Sequence, residues 1–336
     1  MKNKKLLPAA GIRRNPNPDL NRRPAAADDQ IMNTTMIKTI RVPGMFLLFF
    51  CLAAQADSVV APDAKVEKLA GEFKFTEGPT CDKNGDLFFV DQPNNRIMEW
   101  SVDGKLSTFL QPSGYANGMM FDAAGDLIAC ADEHNQLWSI APDKTVTVLV
   151  TNYEGKVLNG PNDIWVAPDG ALYLTDPFYK RTWWDHTNML QDAQCVYRLS
   201  SDRKTLVRAA DGFSRPNGII GTPDGKTLYV ADIAANKTYR FDILPDGSLT
   251  NRTLFCEKGS DGMTIDEQGN LYLSAPGQYN GVTVIDKTGK PAETIDVPEH
   301  PANVCFAGKD RKTLFITART GLYSVRMNVR GGNPAK

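Results

Sequence analysis

Leu158-Asn-Gly-Pro-Asn-Asp-Ile-Trp-Val-Ala-Pro-Asp-Gly-Ala-Leu-Tyr-Leu-Thr-Asp176 reads as a β-hairpin with a polar head. Ile164 to Ala167 is a short apolar run, Pro168-Asp169-Gly170 carries turn chemistry, and Ala171 to Thr175 is a second β-prone run. Asn162-Asp163 stands immediately before the first strand. The same layout occurs six times along the chain. Its heads are Glu77, Asn117, Asn162, Asn217, Asp261 and Asn303, spaced 40, 45, 55, 44 and 42 residues apart. Short strands recurring roughly every 40 to 50 residues are the signature of propeller blades.

Each unit has room for two more strands. Cys195 to Leu199 and Thr205 to Ala209 follow the third hairpin, and Lys237 to Ile243 and Ser248 to Cys256 follow the fourth. The pattern therefore predicts an all-β chain, a six-bladed β-propeller of four-stranded antiparallel blades. The sixth hairpin lacks the turn glycine of the others, and after Gly321 to Met327 the chain runs into Gly331-Gly332 with no further strand. Ala64 to Ala70 is expected to supply the missing outer strand, closing the ring and leaving fewer open edges.

The N-terminal part differs in character. Residues 1–35 are rich in Asn, Pro, Arg and Ala without apolar periodicity, and read as disordered or over-translated. Residues 36–56 read as a signal peptide. Lys38 and Arg41 form the positive region, Val42 to Ala54 the apolar region, and Ala54-Gln55-Ala56 a small-x-small cleavage site. The propeller domain then occupies residues 57–336, and the expectation is an exported protein, periplasmic or extracellular. No later stretch reaches the ~18 uninterrupted apolar residues of a span, so no membrane association is expected after cleavage. The 38 basic and 39 acidic residues nearly cancel, which gives no basis for nucleic-acid binding and leaves a small-molecule substrate as the expected partner. Five cysteines remain after cleavage. Cys81, Cys130 and Cys305 fall in or beside strands and read as buried thiols, and the spacings match no zinc pattern.

The innermost strands of a propeller line its channel, so the six heads should face one another around the channel mouth. All six carry side-chain oxygen acceptors. One Asx-Gly before a strand is usually a turn device, whereas six heads in register point to a common site. Such a ring suits a hard cation, and its two carboxylates, Glu77 and Asp261, would balance one divalent charge. Sulfur is absent from the ring and the chain has three histidines, which disfavours zinc and copper. Calcium is the expected ion, with another divalent cation as the alternative. An aromatic insertion between Pro177 and Gln194, with Tyr179, Arg181, Trp183 and Trp184, reads as a lid over this mouth.

Glu77-Gly-Pro, Pro161-Asn162-Asp163, Arg215-Pro-Asn217-Gly and Asp261-Gly-Met, in that order and spacing, resemble the gluconolactonase/regucalcin superfamily of calcium-dependent hydrolases, relatives of the propeller phosphotriesterases. The resemblance spans Val66 to Val325. It implies that Glu77, Asn162, Asn217 and Asp261 surround a catalytic calcium and that Asp261 is the proton acceptor. Regucalcin-like members carry an arginine two residues before the third-blade Asn, where this chain has Gly160, so the resemblance is greater to the bacterial lactonase branch. Asn117, Asn162 and Asp163 are placed to bond substrate hydroxyls. The expected reaction is hydrolysis of a sugar-derived lactone by metal-polarised attack of water. No Gly-x-Ser-x-Gly elbow indicates a covalent route. Two alternatives remain: a calcium-dependent phosphotriesterase or aryl esterase, and a non-catalytic ligand-binding propeller.

Overall fold

The hairpins pair as the repeats predict. The computed structural model describes residues 58–274 and 280–332; the expected leader (1–35) and signal peptide (36–56) lie outside the described residues. Six four-stranded antiparallel sheets follow one another around the ring. Blade 1 runs Thr76–Cys81, Leu87–Asp91, Arg96–Trp100 and Leu106–Leu110 from channel to rim. Burial falls outward along each blade. The two inner strands of blade 1 are buried throughout, while Leu106–Leu110 is largely exposed. Among the described residues no helix is long and apolar enough to cross a membrane.

The last blade is completed from the other end of the chain. Glu67–Ala70 pairs antiparallel with Gly321–Arg326, with Glu67 opposite Ser324 and Ala70 opposite Leu322. The strand is shorter than the expected Ala64 to Ala70, and Ala64 packs as an apolar side chain against the neighbouring core instead. Outer strands in blades 3 and 4 start one residue later than expected, at Leu206 and Leu249.

Turn chemistry explains why the hairpins repeat so faithfully. Asp82 Oδ1 accepts the N–H groups of Asn84 and Asp86, both at 2.9 Å, and Asp122 and Asp266 repeat the device. Gly85 closes its turn with a left-handed φ of 93°. In the glycine-poor sixth hairpin Arg311 takes that conformation (φ 54°), and its guanidinium reaches across to the Asp82 carbonyl of blade 1 at 3.2 Å. Between blades the contacts are tight. A Cβ on Gly221 would lie 2.2 Å from the ring of buried Trp165, so blade 4 needs a glycine where blade 3 presents its largest side chain.

Candidate active site at the channel mouth

Six side chains converge where the innermost strands begin. Register shifts between Glu77 and Thr80, Ala116 and Met119, Pro216 and Ile219, and Pro301 and Asn303 place an irregularity at the head of four inner strands. Such bulges re-aim a side chain, here toward the channel. In blades 3 and 5 the inner strand starts only at Ile164 and Met263, and Asn162 and Asp261 precede it.

The residue after each head explains the recurrent glycine. Gly118 N donates to Asn162 O at 2.7 Å, and Gly262 N to Ala302 O at 2.9 Å. A Cβ on Gly78 would stand 1.9 Å from Asn117 O, and one on Gly262 1.8 Å from the Asn303 amide carbon. Each blade's head therefore packs onto the backbone or side chain of the next, and only a glycine leaves room. Blades 3 and 6 are the exceptions, with Asp163 and Val304 in that position.

Glu77, Asn117, Asn162 and Asp261 line a cavity of about 250 Å³ with Tyr179 and Arg181 of the insertion. Asn217 joins through hydrogen bonds: its Nδ2 donates to Asp261 Oδ1 at 2.6 Å and to Tyr179 Oη at 2.8 Å. With the amide nitrogen so occupied, the carbonyl oxygen is the atom left to meet a cation. Glu77 Oε2 accepts the Gly78 N–H at 2.9 Å, and Asn303 bonds to the same carboxylate. Asn303 and Asp163 line the channel's inner cavity, of about 330 Å³. Asp163, read from the sequence as a substrate contact, is absent from the mouth lining because its carboxylate is turned to the N–H groups of Ile164 (2.9 Å) and Ile219 (3.4 Å).

The electrostatics of the ring are unbalanced. Burial holds the Glu77 carboxyl well above its usual range, with repulsion from Asp261 and then Asp163 adding to it. Burial likewise lifts Asp261 to about 6, against the Asn217 hydrogen bond and the Arg181 charge, and lifts Asp163 to about 7. Buried carboxylates that repel one another need a countercharge. Among the described residues no three His, Cys, Asp or Glu side chains form a metal cluster. The ring instead offers two carboxylates and several amide oxygens, a donor set that fits a hard divalent cation.

The insertion is a pinned wall. Arg181 Nε pairs with Asp132 Oδ2 at 2.8 Å, Trp184 Nε1 donates to Asp132 O at 2.5 Å, and Trp183 stacks on Tyr115 of blade 2 at 4.4 Å. Sequence reasoning missed Asp132, although its place at the end of a second strand was visible. Its counterparts cap incoming loops: Asp176 accepts the N–H groups of Asn159 and Gly160, and Asp232 those of Ser214 and Arg215. For the loop into blade 2, Asn95 of blade 1 does that work, accepting the N–H groups of Ser113 and Tyr115, which leaves the Asp132 carboxylate for Arg181.

The fold defines a class, the six-bladed β-propellers with four-stranded blades. The chain belongs to the SMP-30/Gluconolactonase/LRE-like family, matching that region over residues 75–320. It is 33% identical over 306 residues to a gluconolactonase of Zymomonas mobilis, covering 82% of this chain and 85% of that one. It is 27% identical to the diisopropyl-fluorophosphatase of Loligo vulgaris, covering 74% and 87%. The solved structure of a gluconolactonase from Xanthomonas campestris superposes with a TM-score of 0.74 at 29% identity, covering 80% and 91%.

Proposed function

We propose that the protein is a calcium-dependent lactonase that opens a sugar-derived lactone outside the cytoplasm. The observation that carries this reading is the pairing of Glu77 with Asp261, two mutually repelling carboxylates at the mouth of a cavity of about 250 Å³. The gluconolactonase relatives support lactone hydrolysis as the reaction. Glu77, Asn162, Asn217 and Asp261 would hold the cation, and their all-oxygen character favours calcium. When bound, it would polarise the lactone carbonyl and stabilise charge growing on that oxygen.

The chain's own groups do the rest. Asp261, beside the attacking water, accepts its proton. Asn217 fixes the orientation of that carboxylate and is itself held by Tyr179. Asn117 and Asn162 face the cavity as hydrogen-bonding groups for substrate hydroxyls. The aromatic wall formed by the insertion limits water entry from one side.

Proton release from gluconolactone above the spontaneous rate tests the proposal. Activity should disappear with a chelator and return with calcium. The likeness to a diisopropyl-fluorophosphatase favours a second reading, a phosphotriesterase using the same ring. An aryl ester and a phosphotriester assayed beside the lactone separate the two, since the substrate turned over fastest identifies the reaction.

A further inference from the structure

Among the described residues, one guanidinium at the mouth is paired with no carboxylate. Glu77 and Asp261 would be balanced by a divalent ion, and Arg181 is already paired with Asp132 at 2.8 Å. Arg215 lines the same cavity, yet among the described residues its guanidinium forms no ion pair with a carboxylate. It lies over the face of Tyr179, 5.0 Å from the ring centroid, with Arg181 5.1 Å from the same centroid. Tyr179 in turn is fixed by its 2.8 Å hydrogen bond from Asn217. The backbone of Arg215 is anchored as well, its N–H donating to Asp232 Oδ1 at 2.9 Å.

An arginine held at both ends and stacked on a ring is pre-organised, so it gives up little further freedom when its planar fork meets an anion. Its place is one aromatic ring away from Asn217 and Asp261. A sugar lactone whose carbonyl sits at the carboxylate ring would direct its far substituent to that side.

We propose that Arg215 selects an anionic lactone, a sugar-derived ring bearing a carboxylate or a phosphate away from the reacting ester. This rests on the lactonase reading above and names its substrate class. A neutral lactone leaves the guanidinium with water as its only further partner, whereas an anionic substituent forms a charge-assisted, bidentate contact. Arg215 binds and does not touch the reacting atoms.

The test compares gluconolactone with a 6-phosphorylated gluconolactone and a glucaric acid lactone, for the parent, Arg215→Gln and Arg215→Lys, with calcium present. The parent should prefer an anionic lactone. Arg215→Gln should lower kcat/KM on that lactone about 10- to 100-fold more than on gluconolactone, mostly through KM, as expected for loss of a charged hydrogen bond. Arg215→Lys should recover part of the loss. The phosphorylated and carboxylated substrates distinguish the two anions. Equal losses on neutral and anionic lactones, or a parent that prefers gluconolactone, overturn the proposal.

A second readout does not depend on turnover. Calorimetry of 6-phosphogluconate and glucarate binding to the calcium-loaded protein should show tighter binding than gluconate, weakened by added salt and lost in Arg215→Gln. Equal affinity of all three acids for parent and variant refutes the anion site. If no lactone is hydrolysed but the anions still bind through Arg215, the lactonase reading fails and the anion site stands.

Discussion

Replacing Gly118 by alanine probes the packing that aligns the ring. The added Cβ would meet Asp163 Oδ1 at 2.5 Å and both Asn162 O and Asp163 Cα at 2.6 Å. Two of those atoms are backbone, so no rotamer change relieves the overlap, and blade 2 must move away from blade 3. Overpacking of this kind costs about 1–3 kcal/mol. The movement also stretches the 2.7 Å hydrogen bond from Gly118 N to Asn162 O, whose loss adds about 0.5–1.5 kcal/mol. The combined cost, about 2–4 kcal/mol, corresponds to a fall in Tm of roughly 3–7 °C for a domain of this size. Calorimetric melting of parent and variant reads the effect, with both in chelator because a bound cation would shift both curves. Asn162 is carried along, so calcium affinity should fall too. A variant melting within ~2 °C of the parent, against the scale set by domain unfolding, would refute the idea that glycine is required there for blade-to-blade contact.

Four further outcomes are expected. Deleting residues 58–72 removes the strand paired with Gly321–Arg326 and should lower the Tm sharply and broaden the transition; unchanged melting would deny the strand a role in closure. Glu77→Gln removes one of the two carboxylates proposed to hold a divalent ion and should weaken calcium binding at least about tenfold by calorimetry, in line with the worth of a charged contact. Burial lifts Asp132 to about 6 and Asp176 to about 7, so both bind protons more tightly folded than unfolded. Stability in chelator should therefore decline as pH rises from about 5 to about 7, and Asp132→Asn should flatten that decline in denaturant melts. Mass spectrometry of the protein recovered from its native host should find a mature N-terminus near Asp57, and an intact N-terminus containing Met36 would count against export and cleavage.

The architecture was legible because each blade repeats one hairpin with its own turn chemistry. Asp82, Asp122 and Asp266 begin turns closed by Gly85, Gly125 and Gly269, and such local signals survive in a single sequence. Even the closing strand could be placed, since the sixth unit visibly lacked one, although its first residues turned out to pack instead of pair. The ring was legible for the same reason: its members share a register. What lay beyond reach depends on contacts between distant segments. The glycine after four of the six heads looks like half of a turn signal, and only the neighbouring blade shows that it makes room for Asn117 O or Asn303. The aromatic insertion read as a lid, while its pairing with Asp132 and its stack on Tyr115 make it a fixed wall. The place of Asp163 just before the strand gave no hint that its carboxylate turns to the N–H groups of Ile164 and Ile219. The five cysteines among the described residues are free, as buried strand positions suggested for Cys81 and Cys130, and Cys305 is partly exposed.

The most direct test of the account is the rate of proton release from a lactone panel by the calcium-loaded protein and by Asp261→Asn. The substitution keeps the side chain's size and one oxygen for the cation but removes the charge and the base. Parent activity should be abolished by a chelator and restored by calcium, and Asp261→Asn should lose about 100-fold or more in kcat, the usual worth of a positioned base. Equal rates in parent and variant would contradict the role given to Asp261, and hydrolysis that persists undiminished in chelator would contradict the cation site itself.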